Sequence, residues 1–213
     1  MKTDDLVSLL ANQAAAVDAR AGLRRLALAL GMASLAAIAL TTTVLGLNPS
    51  LLQDATTSMF WVKELFCGVL SVAGVVTVAR LGRPGRPVGK APIAVGAPLC
   101  AMWLLAAMVL FTSPPANRAA LVMGQTALVC PLLIALVSTP MFIAFVWLMR
   151  SLAPTRLRVA GAAAGFAAGA IGALVYSLHC PEYAAPFLGL WYVLGMLLPT
   201  LVGALAGPRL LRW

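Results

Sequence analysis

Residues 159–178 read Val-Ala-Gly-Ala-Ala-Ala-Gly-Phe-Ala-Ala-Gly-Ala-Ile-Gly-Ala-Leu-Val-Tyr-Ser-Leu. No charged side chain interrupts them. Arg156 and Arg158 stand just before, and His179-Cys180-Pro181-Glu182 just after. At about 1.5 Å of rise per residue, a helix of this length covers about 30 Å, the thickness of a bilayer's hydrocarbon core. A helix also satisfies its own backbone hydrogen bonds where no water can do so. The alternation expected of barrel strands is absent. The run therefore predicts a transmembrane helix.

Working outward, five more apolar runs of similar length occupy 26–47, 59–79, 93–111, 130–149 and 187–207. Of the 213 residues, 62% are hydrophobic and only 10% charged, against about 25% charged in a soluble domain. There is too little polar material to coat a water-facing globule. The fold class follows: all-α, a six-transmembrane-helix bundle over 26–207, with a polar segment 1–25 before it and a short tail 208–213 after it. The first apolar run starts near Leu26 rather than beside Met1, so the amino terminus reads as retained rather than as a cleaved signal. The fourth run is preceded by further apolar residues, and Ala119–Val129 reads as an amphipathic approach along the outer face.

Lys and Arg give the orientation. With the amino terminus inside, the inner side holds Lys2, Arg20, Arg24, Arg25, Arg80, Arg83, Arg86, Lys90, Arg150, Arg156, Arg158, Arg209 and Arg212; the outer side holds only Lys63 and Arg118. This bias places both termini in the cytoplasm of a multi-pass inner-membrane protein. A net charge of +9 is thereby explained without direct nucleic-acid contact. The basic Gly/Pro-rich loop Arg80–Pro92 serves first as a topology anchor, and can also attract anionic headgroups. Gly161, Gly165 and Gly169 recur every fourth residue, a spacing that lets helix backbones approach closely. Packing inside the bundle is the simpler use of that stripe, and a homodimer is the other. Lys63 and Glu64 fall early in the second span, where the lysine is expected to snorkel to the outer interface. Cys67 and Cys100 lie within spans and read as small buried hydrophobes.

No motif supports an enzyme or a bound cofactor. The only histidine is His179, and no phosphate loop or HExxH occurs. Two segments are informative. In the first, Thr3 precedes Asp4 and Asp5, and Leu6, Leu9, Leu10, Gln13 and Val17 follow at helical spacing. This predicts a short cytoplasmic amphipathic helix whose acidic polar face suits docking to a protein rather than to a membrane surface. In the second, Cys130-Pro131 and Cys180-Pro181 mark the outer ends of two consecutive spans. Such spans are antiparallel neighbours, so the thiols can approach to disulfide range or, with His179 beside them, offer soft ligands to a thiophilic metal. Unrelated cysteines near span ends are the plainer alternative. Six spans also suffice for a small transporter or channel, against which stand the few intramembrane charges and the lack of an inverted repeat.

The stretch Tyr176-Ser-Leu-His-Cys-Pro-Glu182, then Phe187 and Trp191-Tyr192-Val-Leu-Gly195, resembles the signature of the NrsF family. So do the start Met1-Lys-Thr-Asp-Asp-Leu6, the run Cys130-Pro-Leu-Leu-Ile with Pro140, and the ending Leu210-Leu-Arg-Trp213. These proteins are six-span bacterial inner-membrane negative regulators of sigma factors. The resemblance implies that the chain holds an extracytoplasmic-function sigma factor inactive at the membrane, with Asp4, Asp5 and Leu6 in the contacting region. It further implies that Cys130 and Cys180 match two periplasmic cysteines associated with sensing metals and oxidants such as chromate and cadmium.

Overall fold

The computed structural model describes residues 19–83, 89–152 and 154–212. Six helices in it are long and apolar enough to cross a membrane. They are α1 (Ala19–Leu40, continued by a π turn Thr41–Leu45), α2 (Ser58–Leu81), α3 (Ala91–Thr112), α5 (Cys130–Leu152), α6 (Leu157–Tyr176) and α7 (Ala185–Leu210). The shorter α4 (Pro115–Met123) lies between α3 and α5. The observed spans differ from the sequence reading by only a few residues at each end. The approach to the fourth span differs more. It is helical from Pro115, closes at Gly124 with φ of 52°, and runs through turns into Cys130.

An even number of crossings brings Ala19 and Arg212 to one end of the bundle. That end also carries Arg24, Arg80, Arg83, Lys90, Arg150, Arg156 and Arg158; the opposite end, here called outer, carries Arg118. The helix ends use what the local sequence supplies. Three consecutive threonines finish α1, and the hydroxyls of Thr41, Thr42 and Thr43 donate to the carbonyls of Ala37, Ile38 and Ala39 at 3.0, 3.0 and 2.6 Å. Those carbonyls are thereby satisfied where the π turn loosens the backbone.

The bundle is built around α6. Of its spanning window 72% is buried, against 11% for α3. Small side chains explain the difference, because only a helix surfaced with Gly and Ala lets neighbours approach on every side. A Cβ on Gly161 would run into the carbonyl of Gly203, and one on Gly165 into the carbonyl of Pro199. A Cβ on Gly169 would lie 2.9 Å from Met196 Cα. On other faces of α6, a Cβ on Gly172 would meet Ser138 of α5 at 2.8 Å, and one on Gly74 of α2 would meet Ala167 Cα at 2.8 Å. The Gly161/Gly165/Gly169 stripe is thus occupied by α7 of the same chain. A homodimer through it would have to displace that helix.

Two further expectations need correction. Cys100 is exposed on the outside of α3 rather than buried, because α3 is the peripheral helix. Lys63 does not snorkel: it is 0% exposed. Its position on α2 accounts for this. Phe60, Lys63, Cys67, Leu70 and Gly74 follow one another at steps of three and four, and all are buried, so the lysine sits on the inward stripe of the helix.

Candidate functional site

The last turn of α6 ends where Pro181 cannot continue it. Before that, the amides of His179 and Cys180 donate to Tyr176 O at 2.9 and 3.1 Å. Carbonyls at a helix C-terminus lack intrahelical donors. Here Lys63 supplies one: its Nζ donates to Ser177 O at 3.1 Å and to Cys180 O at 2.9 Å, and stands 4.0 Å from the Tyr183 ring centroid. A cation at this end also complements the negative pole of α6. Next to it on α2, Glu64 accepts a hydrogen bond of 2.6 Å from the Ser177 hydroxyl. A buried charge needs partners to persist, and the two carbonyls and the Tyr183 ring face supply them to the Lys63 ammonium.

Cys180, held by its own carbonyl, packs with Cys130 from the first turn of α5. Both side chains are buried, both thiols are unlinked, and each lies within hydrogen-bonding influence of the other. Cys67, Tyr176 and Tyr192 belong to the same core cluster, with the two tyrosine rings 6.0 Å apart. Tyr192 is turned inward by a π turn at Leu188–Tyr192. The indole N–H of Trp103 donates to Gly189 O in that turn at 2.8 Å. The Tyr192 hydroxyl is buried in the same pocket, beside the Cys180 thiol. Thr126 Oγ1 approaches Cys180 Sγ at 4.0 Å.

Outside this core lies a hydrogen-bonded cap. Asp54 Oδ2 accepts from Asn48 Nδ2 at 2.8 Å, from the Ser50 hydroxyl at 2.8 Å and from the Tyr183 hydroxyl at 2.9 Å. The Asn48 amide donates to Leu178 O at 3.1 Å. Glu182 Oε1 accepts from the Gln125 amide at 2.7 Å. A Cβ on Gly124 would sit 2.7 Å from the Glu182 carboxylate, which adds to the reason its positive φ requires glycine. The segments 46–57, 124–129 and 177–184 are thereby tied together over the thiols.

The charges follow this geometry. Donation from the Cys130 thiol, the largest influence, holds the Cys180 thiol down at about 6; burial opposes it, while the Glu182 amide, Tyr192 and the Lys63 charge assist. Hydrogen bonds from Ser50, then Tyr183 and Asn48, hold the Asp54 carboxyl below its usual range. Burial, followed by the hydrogen bond to Asp54, pushes the Tyr183 phenol up.

The site therefore brings together Cys130 and Cys180, and places His179 differently. Its Nδ1 lies 2.8 Å from Gly46 O; a carbonyl has no proton to give, so Nδ1 is the donor. Its ring packs on Tyr176 with centroids 5.6 Å apart. Among the described residues no group of three or more His, Cys, Asp or Glu side chains is placed to hold a metal ion. Two thiols alone do not make the four-ligand site of a resident structural metal. Asp4, Asp5, Leu6, Leu9 and Leu10 lie outside the described residues. Lys63, Tyr176, Tyr183 and Tyr192 were not singled out as site residues from sequence. The inward stripe of α2 was the available signal for Lys63.

Known proteins resemble the chain along nearly its whole length. Residues 10–213 match the family model described as NrsF, negative regulator of sigma F. The chain is 46% identical over 213 residues to a probable anti-sigma-F factor NrsF of Azospira oryzae, covering 100% of both chains. It is 39% identical over 215 residues to an anti-sigma-F factor NrsF of Caulobacter vibrioides, again over 100% of both. No solved structure matches the chain. A full-length likeness of this degree, on a six-helix scaffold, makes the chain a member of the NrsF family of negative regulators of sigma F.

Proposed function

We propose that this chain is an inner-membrane anti-sigma factor that sequesters an extracytoplasmic-function sigma factor through residues 1–25 and releases it when Cys130 and Cys180 react in the periplasm. The names of both relatives support the anti-sigma role. The acidic and leucine face at Asp4, Asp5, Leu6, Leu9 and Leu10 is the docking segment, and the basic bias of the end bearing Ala19 and Arg212 supports a cytoplasmic location for it.

The observation that carries the sensing half is the buried Cys130–Cys180 pair between two adjacent helices, at the end opposite that basic surface. The Cys180 thiolate attacks a disulfide oxidant and displaces one thiolate from it. Cys130, deprotonated, then attacks the mixed disulfide and displaces the second. The pair loses two electrons and two protons, and the oxidant is reduced to two thiols. Soft cations compete for the same sulfurs as transient ligands. Bond formation draws the first turn of α5 to the turn after α6, and Lys63 transmits any shift of the Cys180 carbonyl to α2. Moving a 1:99 equilibrium to 99:1 takes about 5.5 kcal/mol, equivalent to about 120 mV for a two-electron couple. Disulfides differ among themselves by that much.

The test has two arms. Cells carrying Cys130→Ser with Cys180→Ser should keep the sigma factor silent when challenged with a thiol oxidant or cadmium, while wild-type cells induce the sigma-dependent genes. Induction equal to wild type removes the sensor. Separately, the full chain should retain a sigma factor on affinity purification, and Asp4→Ala, Asp5→Ala, Leu6→Ala together should lose it. Equal recovery removes the docking segment.

A further inference from the structure

Past Tyr176 the chain makes one more turn before it leaves the helix. The Ser177 amide donates to Ala173 O at 2.9 Å and the Cys180 amide to Tyr176 O at 3.1 Å, both helical bonds. The next carbonyl in this ladder, Ser177 O, would take the amide of residue 181. Residue 181 is a proline and has none. Lys63 Nζ takes that place at 3.1 Å and also reaches Cys180 O at 2.9 Å. One side chain of α2 thus stands in for the N–H that the sequence removes from the end of α6.

The register of α2 against α6 makes this reach possible. The two helices are antiparallel, and Gly74 lets their backbones meet at Ala167, where an added Cβ would come within 2.8 Å of Ala167 Cα. From Gly74 to Lys63 is eleven helical positions, or about 16.5 Å; from Ala167 to Ser177 is ten, or about 15 Å. The close approach at one level therefore sets the lysine opposite the helix terminus at the other.

The consequence falls on Cys180. Its amide is bound by Tyr176 O and its carbonyl by Lys63, so both main-chain groups are fixed and χ1 alone places the sulfur. Cys130 is held on its side by the bond from its amide to Thr126 O at 2.8 Å. A disulfide needs Cβ atoms about 3.5–4.5 Å apart. A window that narrow makes the placing of the Cys180 main chain decisive for closure.

We propose that Lys63 is a positioning residue for the thiol step: by holding the Ser177 and Cys180 carbonyls it keeps the Cys180 sulfur where Cys130 meets it, and so sets the rate at which the pair closes. The role rests on Cys130 and Cys180 reacting as a pair, as proposed above. Its effect belongs to the second displacement. In the first, an oxidant comes to Cys180 from outside. In the second, Cys130 must find the mixed disulfide already formed on Cys180, and geometry within the chain governs that encounter.

The purified, reduced full-length chain, mixed with the uncharged disulfide dithiodipyridine and followed by mass spectrometry, separates the two steps. Cys180 displaces one thiopyridine to give the mixed adduct; Cys130 displaces the second to give the internal disulfide. Lys63→Met should form the adduct at least as fast as wild type and close it about 100-fold more slowly, the effect of a misplacement of about 1 Å. Lys63→Gln keeps an uncharged donor on a stem one atom shorter and should close at a rate between the two. Tyr183→Phe cuts the bond to Asp54 but keeps the ring and both carbonyl bonds, and should close as wild type does. Thermal melts identify any variant that has lost its fold, and Lys63→Gln carries the comparison if Lys63→Met has. The positioning role is overturned if a folded Lys63→Met or Lys63→Gln closes as fast as wild type, or if Tyr183→Phe slows closure as much as Lys63→Met. A wild-type chain that never closes removes the sensing pair itself, and this role with it.

Discussion

The α6–α7 seam and the outer polar cluster hold the same helices by opposite means. Along the seam, stability comes from what is missing: Gly161 and Gly165 let α7's backbone lie directly on α6, and no side-chain chemistry is involved. At the outer end it comes from what is present: a buried ammonium, two carboxylates, a phenol and two thiols whose partners are distributed over three loops. Tight apolar packing has one good arrangement and tolerates no added atom. A polar cluster can be rearranged when one member changes charge or bonding, because its donors and acceptors can find other partners. The comparison teaches where this bundle is a scaffold and where it can switch.

The largest expected effect tests the seam. Gly165→Leu puts its first added carbon into the Pro199 carbonyl, and a backbone carbonyl inside a helix cannot step aside. Destabilisation should exceed about 3 kcal/mol, the upper range for overpacking, and abolish a monodisperse peak on size exclusion in detergent. Gly31→Leu, where nothing lies within 4 Å of an added Cβ, should change the melting free energy by less than about 0.5 kcal/mol. A Gly165→Leu protein that melts like wild type would mean that α7 does not lie where it is described.

Next comes the polar cluster itself. Lys63→Met keeps the length of the side chain and its apolar stem but removes the donor shared by Ser177 O and Cys180 O. Leaving buried acceptors without donors costs about 1–3 kcal/mol each, less whatever the lysine's own desolvation had cost. A net loss of about 2–4 kcal/mol is expected, read as a lower thermal midpoint, with faster labelling of Cys180 by a membrane-impermeant maleimide. Smaller again, Glu182→Gln weakens a charge-assisted bond to the Gln125 amide and should cost about 1 kcal/mol. If it costs as much as Lys63→Met, the 124–129 turn and not the α6 terminus anchors the cap.

Most of the scaffold was legible in the sequence, because its determinants are local. A span is announced by about twenty consecutive apolar residues, and the seam by glycines four apart within one helix. The Cys130/Cys180 pairing was accessible one step further on, from topology: adjacent antiparallel spans bring their outer ends together. The rest of the site was not legible, since Lys63 meets carbonyls 114 and 117 residues away, and Tyr183 meets an aspartate 129 residues away. No local pattern encodes those pairs. Lys63 shows two local signals in conflict: a lysine five residues inside a span can usually reach the interface, but three-and-four spacing sets this one among Phe60, Cys67 and Leu70 on the inward face.

The smallest effect in energy bears most directly on whether the polar cluster reacts or merely holds. With Cys180 held at about 6, its thiolate fraction should rise through pH 6 and level off by pH 7.5, where an ordinary thiol with a pKa near 8.5 is still mostly protonated. The sign follows from the direction of the shift. A lowered pKa means that contacts favour the thiolate, so their stabilisation is complete above the usual thiol range and fades as pH falls toward 6. The pH dependence of iodoacetamide alkylation at Cys180, followed by mass spectrometry on the reduced full-length chain, measures this directly. Burial lowers every rate by the same opening factor and leaves the midpoint unchanged. Cys130→Ala removes the donor with the largest influence and should carry the midpoint up toward the ordinary thiol value. A wild-type midpoint already near 8.5 would show Cys180 to be an unactivated thiol, and the outer end would then be a second structural clasp beside the seam rather than its reactive counterpart.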